Sequence, residues 1–152
     1  MFVEAMPKVL VLYYSRTGNT GVMAKAVAEG VKSVQGVDVE INYYVPPETL
    51  GSFDAMVFGV PTYHHDMPLS IKNFFEEVAV KNVDLRGKLG AAFGSYGWSG
   101  EAPRLVLEIL KNRFGMVVVE PPLLIKYAPD KSGMAQCMDF GRKIAERLMH
   151  PV

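Results

Sequence analysis

The chain reads as an α/β protein, a doubly wound parallel sheet of five strands with helices on both faces. Three observations predict it. Apolar, β-branched runs of strand length alternate with amphipathic runs of helical spacing from one end of the chain to the other. The runs at 8–14, 55–60 and 88–94 are almost unbroken in apolar or small residues, as strands covered on both faces are. The loops that follow those three runs are also the richest in Gly, hydroxyls and aromatic residues. In such sheets the crossovers are right-handed, and ligands sit outside the C-terminal strand ends where strand order reverses.

The first strand, residues 8–14, reads K-V-L-V-L-Y-Y and stops at S-R-T-G-N-T, after which Val22, Ala26, Val27 and Val31 repeat at helical spacing. Gly36 turns the chain into 37–44, where apolar and polar residues alternate, as on a strand near the sheet edge. Two prolines and a glycine in 45–53 leave room for one helical turn. After the third strand, Asp66 offers a cap, Pro68 a first turn, and Leu69, Phe74, Phe75 and Val78 an apolar helix face. The small residues of the fourth strand, K-L-G-A-A-F-G, allow neighbouring backbone to come close. Leu105, Val106, Ile109, Leu110 and Phe114 then form a helix stopped by Gly115. A short fifth strand at 116–119 is broken by Pro121 and Pro122 before 123–126. Ser132 opens the last helix, with Met134, Met138, Gly141, Ile144 or Ala145, and Leu148 inward.

At 152 residues the chain reads as one domain, 1–152, with residues 1–6 an optional extension before Pro7. Lys plus Arg and Asp plus Glu are both 16, so no net charge draws it to nucleic acid or to an anionic membrane. No apolar run approaches the roughly 20 residues that span a bilayer, and M-F-V-E-A-M is not a signal peptide; a cytoplasmic location is expected. Cys137 is the single cysteine, so no internal disulfide forms, and with three histidines a metal centre is not expected.

S-R-T-G-N-T has the chemistry of a phosphate cradle. The first amides of a helix lack internal partners and sit at the positive end of the aligned peptide dipoles, so they hold an anion without a lysine. Ser, Thr and Asn before a helix also serve as ordinary caps, and the loop alone does not decide between the two. It is neither a Walker A loop nor the glycine fingerprint of dinucleotide folds.

Taken in order, S-R-T-G-N-T, G-V-P-T-Y-H-H-D-M-P and F-G-S-Y-G-W-S-G-E-A resemble the three flavin loops of the flavodoxin family, with the greatest likeness to the flavodoxin domain of flavodiiron proteins. The resemblance covers about 7–149 and implies a flavodoxin-like sheet of order 2-1-3-4-5 with FMN as cofactor. It implies that Ser15, Arg16, Thr17, Gly18, Asn19 and Thr20 surround the phosphate. Pro61, Thr62, Tyr63 and His64 would run along the N5 edge of the flavin, and Ser95, Tyr96, Gly97, Trp98 and Gly100 would hold its pyrimidine edge and one face. Tyr63, Tyr96 and Trp98 are the candidate stacking walls. Flavodiiron proteins carry in addition a metal-binding domain with no counterpart in these residues, so oxygen or nitric oxide reduction is not implied. Typical flavodoxins are strongly acidic and this chain is balanced. With only Asp66 and Glu101 as loop acids, against Arg16, His64 and His65, the second electron is expected at a less negative potential.

The function expected is an FMN electron carrier between redox partner proteins, with no catalytic side chain of its own. An FMN-dependent NAD(P)H:quinone or flavin reductase, with a small quinone or nicotinamide substrate on the exposed ring, is the alternative. A phosphate-binding or interaction domain without flavin is a third, since fold alone does not imply function. A homodimer stays open.

Overall fold

The computed structural model describes residues 6–14 and 18–150. In chain order the elements are β1 (Lys8–Tyr13), α1 (Asn19–Lys32), β2 (Asp38–Asn42), a 3-10 helix (Pro47–Ser52), β3 (Ala55–Gly59), α2 (Leu69–Val80), β4 (Leu89–Tyr96), α3 (Glu101–Asn112), β5 (Val117–Val118), β6 (Leu123–Lys126) and α4 (Lys131–Met149). All strand pairings are parallel, in the order β2-β1-β3-β4-β5. A sixth strand, β6, was not expected. It pairs with Phe93–Tyr96 while β5 pairs with Leu89 and Gly90, so the two follow one another along the same edge, separated by the proline pair.

Period-two alternation divides the core. Leu10, Leu12, Met56, Phe58 and Ala92 point to the face covered by α2 and α3, together with Phe74, Phe75, Val106 and Leu110. Val9, Val11, Val57, Ala91 and Phe93 point to the other, under α1 and α4, with Met23, Val27, Val31, Cys137 and Ile144. Each fully buried aliphatic or aromatic side chain adds roughly 1.5–3 kcal/mol. The thiol of Cys137 is pushed up to about 11 by that burial and stays protonated.

Several local expectations change. β4 runs two residues further, to Tyr96, so Ser95 and Tyr96 belong to the sheet. Asp130, and not Ser132, opens α4, its carboxylate accepting from the Gly133 amide at 2.7 Å. Asp66 does not cap α2: Pro68 occupies that position, while Asp66 accepts from the Met67 amide and pairs with Lys72. Leu69 is 70% exposed, because the buried stripe of α2 runs through Ile71, Phe74, Phe75 and Val78. Met138 also faces outward, displaced by the stripe Gly133, Cys137, Gly141, Ile144 and Ala145. Tyr43 and Tyr44 lie beyond the end of β2; Tyr43 is exposed, and Tyr44 rests edge-on against Phe74 at 6.1 Å.

α1 and α4 meet backbone to backbone. A Cβ at Gly30 would stand 1.9 Å from the Met138 carbonyl oxygen, and one at Gly141 would stand 2.0 Å from that of Val27. No side chain can yield there, because the obstacle is a main-chain oxygen. Gly to Ala inside a helix ordinarily stabilises. Here Gly141→Ala is expected instead to destabilise by about 1–3 kcal/mol, the scale of overpacking. Its urea midpoint measures this, and a midpoint at or above that of the parent would refute the packing account.

Candidate functional site

The C-terminal ends of β1, β3 and β4 lie side by side, since Tyr13 pairs with Gly59 and Gly59 with Phe93. The three candidate loops therefore open on one rim. Ser15, Arg16 and Thr17 lie outside the described residues. Gly18 ends that loop at φ 94, a conformation that favours glycine, and serves as the first cap of α1. Its carbonyl accepts from the Val22 amide at 3.0 Å, which starts the helix. Among the described residues Gly18 offers no capping side chain and the first turn carries no acid, which leaves the positive end of the helix dipole uncancelled by a carboxylate. Asn19 is half-buried and Thr20 only 1% exposed. The Thr20 hydroxyl reaches Ser95 across the rim, Oγ1 to Oγ 3.3 Å.

After β3, Pro61 is buried and Tyr63 to Asp66 make a tight two-residue hairpin. Tyr63 N donates to Asp66 O at 2.7 Å, and Asp66 N donates back to Tyr63 O at 2.9 Å. Both central residues have positive φ, 48 at His64 and 64 at His65. Such turns favour Asn-Gly. Two histidines there store backbone strain, about 1–3 kcal/mol each, of the kind that gathers at functional sites. The Tyr63 ring stands edge-on to Tyr14, centroids 6.3 Å apart.

The second and third loops are fastened together. Thr62 Oγ1 accepts from the Ala102 amide at 3.0 Å, so its hydroxyl caps α3 from another element. His65 Nδ1 lies 3.0 Å from Glu101 Oε1, and the His65 ring meets Trp98 edge-on at 6.5 Å. Bonds from His65 and then Ser99 hold the Glu101 carboxyl below its usual range, as Lys72 does for Asp66. His65 and Glu101 are thus site residues that sequence reasoning did not assign to flavin binding. Their separation of 36 positions left no local signal.

Trp98 is 91% exposed, a large flat ring at the rim, and Gly97 beside it is exposed too. Tyr96 turns the other way, its ring within 3.4 Å of where a Cβ on Gly100 would lie. The main chain of Tyr96 accepts from the Tyr127 amide at 2.7 Å, which brings exposed Tyr127 to the same rim. A groove of about 450 Å³ follows the outer side of this loop past Trp98, Gly100, Arg104 and Leu124. A larger cavity of about 610 Å³ lies among Val83, Asp84, Arg86 and Arg113, away from all three loops, and its two arginines are already paired with Asp84 and Glu76.

These residues fit FMN. A helix start free of acids, with a buried hydroxyl pair beside it, suits one phosphate, and Trp98 with Tyr63 offers aromatic surface for a flat ring system. Among the described residues no cluster of His, Cys, Asp and Glu could hold a metal ion, and no helix is long and apolar enough to cross a membrane.

Residues 11–141 match the family model described as Flavodoxin. Among individual proteins, the type A flavoprotein fprA of Rhodobacter capsulatus is 34% identical over 148 residues, which cover 91% of this chain and 33% of that protein. The chain thus spans about a third of that relative. The flavodoxin of Clostridium beijerinckii is 33% identical over 142 residues, covering 89% of this chain and 97% of the flavodoxin. The solved structure of a flavodoxin from the domain Archaea superposes with a TM-score of 0.87 at 39% identity, over 94% of this chain and 99% of that one. Strand order, rim and relatives agree, and the chain belongs to the flavodoxin family.

Proposed function

We propose that this chain binds FMN at the rim of β1, β3 and β4 and carries electrons between redox partners, with no proton-transfer or nucleophilic side chain of its own. Bound FMN supplies the redox chemistry. The observation that carries the reading is the division of the rim into two ends. At one end lie an acid-free helix start and the buried pair Thr20 and Ser95; at the other, exposed Trp98 stands on a loop fastened to its neighbour. Similarity to a flavodoxin over nearly that protein's whole length supports it further. The reductase alternative gains no observation of its own, and NAD(P)H oxidation with quinone on the FMN-loaded protein separates the two.

Asn19 and Thr20 open α1, where the phosphate would lie. Thr20→Val with Asn19→Ala is therefore expected to weaken FMN while sparing riboflavin, which shares the ring but lacks the phosphate. Equal loss of both ligands in parallel fluorescence titrations would remove the phosphate from this end.

Trp98 is the single tryptophan, so its emission reports one place. Adding FMN to the ligand-free protein should quench it strongly, and Trp98→Ala should weaken binding by roughly 1–3 kcal/mol, the cost of uncovering a large apolar surface. Emission that does not change through the titration would refute a stacking role.

Asp66 is paired with the Lys72 ammonium, and Glu101 shares a hydrogen bond with His65. With only two acids in these loops and one of them countered by a lysine, the rim carries little negative charge, which supports a second-electron potential less negative than acidic surroundings give. Because Glu101 is held below its ordinary 4.5, its contribution to loop fastening is present above that value and is lost only as pH falls through the lower folded value. In an acid titration Trp98 emission should hold through pH 4.5 and change below it, and Glu101→Gln should abolish that acid transition. Superimposable titrations of parent and variant would show that the contact fastens nothing.

A further inference from the structure

Alternation along β4 places Ser95 on an unexpected side of the site. Ala91 and Phe93 face the core under α1 and α4, and Ala92 faces the opposite core. Ser95, two residues past Phe93 and still in the strand, therefore faces α1, while Tyr96 turns towards Gly100. Ser95 is 8% exposed, and its hydroxyl lies 3.3 Å from that of Thr20, a residue 1% exposed in the first turn of α1. The resemblance assigned Ser95 to the pyrimidine edge of the flavin, yet the strand carries it to the phosphate end.

A hydroxyl has one hydrogen to donate and two lone pairs to accept with. Between two hydroxyls only one hydrogen is used, and the direction decides what Thr20 has left. If Thr20 donates to Ser95, its hydrogen is spent. If Ser95 donates to Thr20, the Thr20 hydrogen is released for a third acceptor. An anion at the start of α1 selects the second arrangement, because a phosphate oxygen is a stronger acceptor than a serine hydroxyl. The two bonds then polarise one another in surroundings of low dielectric.

Resting on the FMN reading above, we propose that Ser95 is a positioning residue for phosphate: it donates to Thr20 Oγ1 and thereby aims the Thr20 hydrogen at the ligand. Ser95 thus acts through Thr20 and makes no contact with the pyrimidine edge. The arrangement ties the end of β4 to the first turn of α1, 75 residues apart in sequence, so that the phosphate end is built by two strands' connections and not by the first loop alone.

The test titrates the purified ligand-free parent, Ser95→Ala, Thr20→Val and the double variant with FMN and with riboflavin, following flavin fluorescence, while urea midpoints monitor the fold. The parent should bind FMN more tightly than riboflavin; if it binds neither, the FMN reading itself fails, independently of Ser95. Given a binding parent, Ser95→Ala should weaken FMN roughly three- to tenfold, the scale of one hydrogen bond, and leave riboflavin unchanged. The double variant should bind FMN no worse than Thr20→Val alone, because Ser95 has nothing left to position. Equal weakening of FMN and riboflavin by Ser95→Ala would return the residue to the ring end or to a general structural role. Unchanged FMN affinity, or losses that simply add in the double variant, would overturn the proposal as well.

Discussion

The site depends on where β1 sits in the sheet. With β2 on one side of it and β3 on the other, the chain leaves β1 towards one edge and returns across it to continue towards the other. Right-handed crossovers then oblige α1 to cover one face and α2 and α3 the opposite one. The connections after β1 and β3 diverge, and a crevice opens between them without any special residue being needed. What the residues decide is which ligand the crevice suits. α1 is fixed against α4 by close backbone approach at Gly30 and Gly141, so the core sets where the amides at its start lie.

The other two loops gain definition from each other. The Thr62 hydroxyl oxygen accepts from the Ala102 amide of α3, and His65 reaches both Glu101 and Trp98. Taken singly these are modest interactions, and an exposed pair such as His65 with Glu101 contributes little to global stability. Their importance is local. The hairpin that presents His65 has positive φ at two non-glycine residues, and such a conformation persists only where its surroundings over-determine it. The paired main-chain bonds of Tyr63 and Asp66, the Lys72 contact to Asp66 and the bridge to Glu101 are those surroundings.

The parts of this architecture legible in the sequence are those governed by periodicity. Continuous apolar runs marked β1, β3 and β4, alternation marked β2 as an edge, and the order of three Gly- and hydroxyl-rich loops pointed to the rim. Boundaries were less legible because side chains there satisfy competing rules. Asp66 has the composition of a cap but is engaged by Met67 and Lys72, and Asp130 took the capping role that Ser132 also suits. Ser95 looked like a loop residue because Ser, Tyr and Gly follow one another, yet pairing with Ile125 of β6 keeps it in the sheet. Contacts between loops, such as Thr62 to Ala102, leave no trace in local pattern, since either residue would look the same without the other.

The two ends of the rim differ in their access to water, and this difference suits the electron carrier proposed above. At the end proposed for the phosphate, the hydroxyls of Thr20 and Ser95 belong to buried residues and bond each other, so a ligand anchored beside them meets polar groups already held in place. At the other end Trp98, Gly97, His64 and Tyr127 are exposed, while Asp66 is paired with Lys72 and Glu101 bonds His65 within the chain. Anchoring at a dry end leaves the opposite edge of a flat ligand open to a partner's surface, so tight binding and access need not oppose each other. A site buried at both ends would hold a cofactor equally well but would place protein between it and any partner; a site open at both ends would give access and lose the anchor.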